Sequence, residues 1–343
     1  MPGISKKSPG IDCSFNARKV SSDDDEDWSD EGTLSSDDSE ESDTSVDEED
    51  LNARLTPFWP KYIELFRNRG LQLDTVKDVK ELYGPAAPCL PYGLYSETNR
   101  DDDLCPDPGL PDRLFLGTRI SDSKRFVVKA VNPESREYQT ILVLSRPPLL
   151  EDPGNHTIPV IDLFQEDAIA FIVMDAWSTQ IEHQPDLLCC KWQFLSALRQ
   201  CIEHIAFMHT QCMAHLDISL RNVLSDRKGR FVFIDYECTR SFPQSAGLPF
   251  AQECYGTEMP PETEGRGRID PFKVDIWALG VLMLRGSKLT GHFVPELMSI
   301  IEWMLQEDPC QRPTAQAVLQ SFNSVLSSLK SRLGPQCHVE TSM

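Results

Sequence analysis

The chain has 343 residues, with 54 acidic against 33 basic side chains and a formal charge of −21. That length suggests about two domains, or one large two-lobed one. The charge argues against a nucleic-acid partner, because phosphates would be repelled over most of the surface.

No apolar run approaches the roughly 18 residues that a membrane helix needs, so no membrane partner is expected. The first ten residues, MPGISKKSPG, lack the apolar centre of a secretory signal. Eleven cysteines include no Cys-x-x-Cys pair, which reads as reduced thiols rather than a disulfide framework or zinc site. The expected compartment is cytoplasm or nucleus, not secreted.

In chain order, residues 1–54 read as a disordered acidic tail. Residues 21–50 hold 16 Asp or Glu and no Lys or Arg. Few apolar side chains are there to offset the entropy of ordering. Two readings stay open: a solvating tail, or a regulatory one in which Ser36 and Ser39, flanked by acids, are phosphorylated. Residues 55–112 read as a helical extension and loop. Phe58, Tyr62, Ile63 and Phe66 recur at helical spacing, Asp74–Tyr83 forms a second short helix, and Gly84-Pro85 ends it.

Residues 113–177 change texture. Leu114–Ile120 and Arg125–Val131 form a hairpin, Glu134–Leu144 is helical, and Ile158–Phe164 and Ala168–Trp177 are strands. From 178 to 329 the pattern is mainly helical, over 191–210, 273–287, 294–306 and 313–329, and 330–343 is a C-terminal tail. The fold class is therefore α+β: a small β-rich lobe, a larger helical lobe, and a cleft between them that suits a nucleotide.

The chemistry concentrates in His215-Leu-Asp-Ile-Ser-Leu-Arg-Asn222 and Phe231-Val-Phe-Ile-Asp-Tyr-Glu237. Asp217 and Asn222 share a loop, and Asp235 ends an apolar strand after a hairpin, so three oxygen-bearing side chains can converge. Phosphoryl transfer needs such a set: one carboxylate for the attacking hydroxyl, and an amide oxygen with a second carboxylate for magnesium. Taken singly, Asp217 or Asp235 reads equally as a turn residue or a helix cap.

As a set, these residues resemble the protein-kinase-like superfamily. The resemblance implies ATP and Mg²⁺ as cofactors. Asp217 would be the catalytic base, Asn222 and Asp235 the metal ligands, and Lys129, in Phe-Val-Val-Lys, the lysine over the phosphates. Glu137, with Glu134 as its rival, would be that lysine's helix partner. Met174 would back the adenine pocket, and the backbone from Asp175 to Trp177 would read the adenine edge. Glu262 with Arg312, and Asp275 beneath the catalytic loop, would be structural. The texture is closest to divergent fungal kinase-like proteins, and a protein substrate with a Ser or Thr hydroxyl is implied. Oligomeric state is unknown.

Four positions depart from the family pattern. The glycine-rich phosphate loop is absent. Glu237 stands where glycine is usual, either crowding the phosphates or serving as a third oxygen ligand. Ser219 replaces the loop lysine, for which Arg221 would substitute. Leu216 precedes the base in place of arginine, so phosphorylation at Thr239, Ser241, Tyr255 or Thr257 is not expected to switch activity on. Only 37 positions separate Asp275 from Arg312, which implies a reduced substrate-side helix. Two alternatives remain: a pseudokinase that acts by binding, and a small-molecule phosphotransferase of the choline- or aminoglycoside-kinase type. The latter also uses His-x-Asp-x-x-x-x-Asn with Asp-aromatic-Glu.

Overall fold

The computed structural model describes residues 52, 54–83, 100–107, 109–177, 179–180, 188, 190–242, 250–251, 254–265 and 267–330. The expected acidic tail (apart from 52 and 54), most of the proline-rich stretch after residue 83, and residues 331–343 of the expected C-terminal tail lie outside them. No helix among the described residues is long and apolar enough to cross a membrane.

The chain starts with α1 (Ile63–Asn68), β1 (Leu71–Leu73) and α2 (Val76–Tyr83). After the intervening loop come β2 (Leu114–Arg119), β3 (Arg125–Val131), α3 (Arg136–Leu144), β4 (Val160–Glu166) and β5 (Ile169–Asp175). These five strands form one antiparallel sheet in the order β1-β2-β3-β5-β4. The sequence reading placed all of 55–112 outside the sheet, and the structure corrects that. Leu71–Leu73 pairs with Gly117–Arg119 as the edge strand. Three residues with one polar position carry too little alternation to be read as a strand. Their pairing depends on a partner more than forty residues away.

Gly117 owes its place to this pairing. A side chain there would strike the Gln72 carbonyl and the Phe126 ring. One sheet face is covered by an aromatic cluster of Trp59, Tyr62, Phe66, Phe115, Phe126, Phe164 and Phe171. Burying each phenylalanine contributes about 1.5–3 kcal/mol. Because strand side chains alternate, Phe126, Val128 and Ala130 enter this cluster, and Lys129 points to the other face, toward α3.

The helical lobe holds β6 (Thr179–Gln180), α4 (Lys191–Thr210), β7 (Met213–Ala214), β8 (Val223–Ser225), β9 (Phe231–Phe233) and β10 (Arg240–Ser241). Three helices follow: α5 (Pro271–Thr290), α6 (Met298–Met304) and α7 (Ala315–Lys330). Helix α4 is buried on several sides and centres the main core with α5 and α7. Asp270 caps α5 by accepting from the Phe272 and Lys273 N–H groups, Pro271 occupies the first turn, and Gly291 closes the helix at φ +68°. Between α5 and Arg312 the one α-helix is α6, seven residues long, in keeping with the short spacing seen in the sequence.

Candidate active site

The loop that carries Asp217 is built from below. Asp275, fully buried on α5, accepts from the N–H groups of His215 and Leu216, both at 2.8 Å, and from His209 Nε2 at 2.9 Å. These bonds hold Leu216 at φ +65°, a costly backbone conformation for a branched side chain. Asp217 is thereby presented at the loop tip. Its Oδ1 accepts from the Thr257 N–H at 2.7 Å, and its Oδ2 accepts from Asn222 Nδ2 at 2.6 Å. Gly256 lies so close to the loop that a side chain there would collide with the Leu216 carbonyl.

The β8–β9 hairpin returns the chain to this loop, and the Ile234 N–H donates to the Asn222 carbonyl at 3.0 Å. That bond sets Asp235 beside Asn222. Asn222 donates its amide nitrogen to both the backbone carbonyl (2.9 Å) and side chain of Asp217, which turns its amide oxygen away. Two hard oxygen donors, Asn222 and Asp235, are therefore at hand, and such a set fits Mg²⁺. Asp235 adopts φ +66° at the strand end.

Lys129 joins the two lobes. Its Nζ lies 2.7 Å from Glu137 Oε2, 3.1 Å from Asp235 Oδ1 and 3.0 Å from Glu237 Oε1. Burial alone would lower the pKa of this ammonium, but Glu137, Asp235 and Glu237 outweigh it and hold the pKa above its ordinary value. Burial raises the Glu137 carboxyl, opposed by Lys129. Burial also works to raise Asp235, yet Lys129 and Arg113 bring it below the usual carboxylate range. The structure selects Glu137 over Glu134. Ser135 caps α3 by accepting from the Tyr138 N–H, which turns Glu137 inward and leaves Glu134 exposed.

Next to Asp235, Tyr236 is fully buried. His204 Nδ1 accepts from the His156 N–H at 3.1 Å, so His204 Nε2 carries the proton and donates to Tyr236 Oη at 3.0 Å. Tyr236 in turn donates to Thr157 Oγ1 at 3.1 Å. The Tyr236 ring lies 5.0 Å from that of His215. Burial lowers both His204 and His215, so both are neutral.

The remaining expected residues lie as follows. Met174 packs, half-buried, against the main core at the end of β5. The Asp175 carbonyl accepts from the Trp177 N–H at 3.0 Å, so the groups expected to read adenine bond to one another. Arg230 lies over the Trp177 ring at 5.3 Å. Arg221 is exposed on the turn that ends at Asn222. Ser219 is buried, 3% exposed. Arg312 meets Glu262 through two bonds of 2.6 and 2.7 Å and is itself fully enclosed.

Sequence reasoning missed Arg113. Its Nη1 is 2.9 Å from Glu237 Oε1, inside the cleft. A lone arginine before a strand carries no signal. The available clue was Glu237, a carboxylate in a glycine's place that needs a counter-charge.

These elements define the two-lobed architecture of a kinase-type domain. The protein kinase domain model matches residues 113–294, just over half of the chain, and the chain belongs to that family. It is 27% identical over 155 residues to the serine/threonine-protein kinase PAK mbt of Drosophila melanogaster, covering 37% of this chain and 24% of that one. It is 25% identical over 189 residues to the nitrogen permease reactivator protein of Saccharomyces cerevisiae, covering 49% and 22%. A putative serine/threonine-protein kinase, R436, of Acanthamoeba polyphaga mimivirus is 21% identical over 261 residues, covering 64% of this chain and 92% of the viral one. The chain thus spans less than a quarter of the fly and yeast relatives. These relatives come from an insect, a yeast and a virus, so the likeness is not particular to fungi.

Proposed function

We propose that this domain is an ATP- and magnesium-dependent protein kinase that transfers the γ-phosphate to Ser or Thr hydroxyls of a cytosolic or nuclear protein. The observation that carries this is Lys129, seated between Glu137 and Asp235, together with Asp217, whose carboxylate is fixed from two sides. Asn222 and Asp235 would hold the magnesium, which supplies neutralisation of phosphate charge.

Asp217 orients the substrate hydroxyl and accepts its proton. The hydroxyl oxygen bonds to the γ-phosphorus as the bond to the β-phosphate oxygen breaks, and ADP leaves. Lys129 stabilises charge on the phosphates, and Glu137 keeps its ammonium in place. The serine/threonine-kinase names of the relatives support the hydroxyl class.

The test is incubation of the full chain with Mg²⁺, γ-labelled ATP and a mixed protein lysate, beside Asp217→Asn. Label on protein that vanishes in the variant supports the reading. Equal label in both would defeat it. One observation favours a second reading, a pseudokinase: Asp235 and Glu237 are both already engaged by Lys129. Nucleotide binding with no transfer to protein or to choline and aminoglycoside hydroxyls would select it.

A further inference from the structure

The two departures at the phosphate end of the cleft meet in space. The connection from β1 to β2, where a glycine loop would wrap phosphates, runs from residue 74 to 113 and has no closely spaced glycines. Its last residue is Arg113. The Arg113 carbonyl accepts from the Ala130 N–H at 2.8 Å, and the next residue, Leu114, pairs across the sheet with Lys129. Arg113 is therefore anchored one position from the phosphate lysine.

Its side chain is only 15% exposed and reaches Glu237, which is 6% exposed and also touches Lys129. Arg113 and Glu237 carry opposite charges, so together they leave the net charge around Lys129 as it would be with neither. Yet the contact is incomplete. Arg113 Nη1 is buried and makes no well-directed hydrogen bond, although it lies 2.9 Å from Glu237 Oε1, an oxygen that Lys129 also meets at 3.0 Å. A buried guanidinium so placed has donors to spend on an anion.

We propose that Arg113 binds the nucleotide's β- and γ-phosphate oxygens in place of the missing glycine loop, with Glu237 holding its guanidinium in position. This rests on the nucleotide reading above and names the residue that makes it work without backbone amides. Arginine suits the task because its planar fork matches phosphate oxygens in pairs.

The test is calorimetric titration of the full chain with adenosine, ADP and ATP in Mg²⁺. Wild type is expected to gain affinity from adenosine to ATP. Arg113→Ala is expected to lose on the order of tenfold or more for ATP, as for a charged hydrogen bond, and less than about twofold for adenosine. Arg113→Lys should recover only part, having charge without the fork. An Arg113→Ala variant that binds ATP as wild type does would overturn the proposal and leave the kinase reading standing. Wild type that binds neither adenosine nor ATP would overturn both.

Because the single variant strands Glu237, the double variant Arg113→Ala/Glu237→Gly is the second arm, with its folding checked by thermal unfolding. Continued loss of ATP affinity supports the proposal. Recovery to wild-type affinity would show that Arg113 is only Glu237's counter-ion, and would overturn it.

Discussion

The two sides of the cleft keep their geometry by different means. On the helical side, Asp275, Glu262 and Arg312 are closely bonded to the partners that the motifs imply, and Asp275 holds the loop that carries Asp217 from beneath. On the sheet side, among the described residues, Lys129 and Glu137 keep such a pairing. The phosphate end is rebuilt around an arginine and a glutamate from segments more than a hundred residues apart. Asp217 can be positioned by the scaffold under it. Phosphate binding needs only donors of the right charge, and more than one backbone arrangement can provide them.

The sharpest challenge to this contrast is at the base. Asp217→Asn should lower phosphate transfer by on the order of 10²–10⁴-fold. The thermal unfolding midpoint should fall only modestly, because Asn keeps an acceptor facing the Thr257 N–H while losing the bond from the Asn222 amide, where donor would face donor. Loss of folding together with activity would mean that Asp217 is part of the scaffold.

The scaffold itself is tested next. Arg312→Ala leaves Glu262 facing a buried void and should destabilise the fold by about 3–5 kcal/mol, read by denaturant unfolding. The same substitution at the exposed Arg67, paired with Glu64 on α1, should change stability by less than about 1 kcal/mol. Equal effects at the two sites would remove the distinction between frame and surface.

Acid sensitivity gives a smaller effect. His204 and His215 are neutral in the fold, whereas an unfolded histidine titrates near about 6.5. Below that pH the unfolded chain binds more protons, so each histidine draws stability down as pH falls, by at most about 1.4 kcal/mol per pH unit. His204→Gln should flatten the fall in unfolding free energy between about pH 6.5 and 5.5. An unchanged slope would show that His204 does not contribute.

Gly256→Ala is a test confined to one contact, expected to cost about 1–3 kcal/mol by forcing the segment off the Leu216 carbonyl. It should slow transfer while sparing adenosine binding. Wild-type transfer rates would mean that the contact with Asp217 tolerates movement.

Much of this was legible from the residues. Long runs with one period, such as those at Arg125–Val131, Lys191–Thr210 and Ala315–Lys330, match the observed elements closely, because local pattern and burial agree there. The triad Asp217, Asn222 and Asp235 was also readable, since a loop and one hairpin suffice to bring it together. The strand at Leu71–Leu73 was not, because an edge strand of three residues has little pattern of its own.

The choice of Glu137 over Glu134 depended on the helix cap at Ser135, which sets the face that turns inward. Arg113 was out of reach for a different reason. Its partner Glu237 lies in the other lobe, and a single charged pair leaves no periodic trace along the chain. Residue order thus specified the elements and the chemistry carried on short loops. Pairings between distant segments were settled by folding, where desolvation makes each buried charge find its opposite.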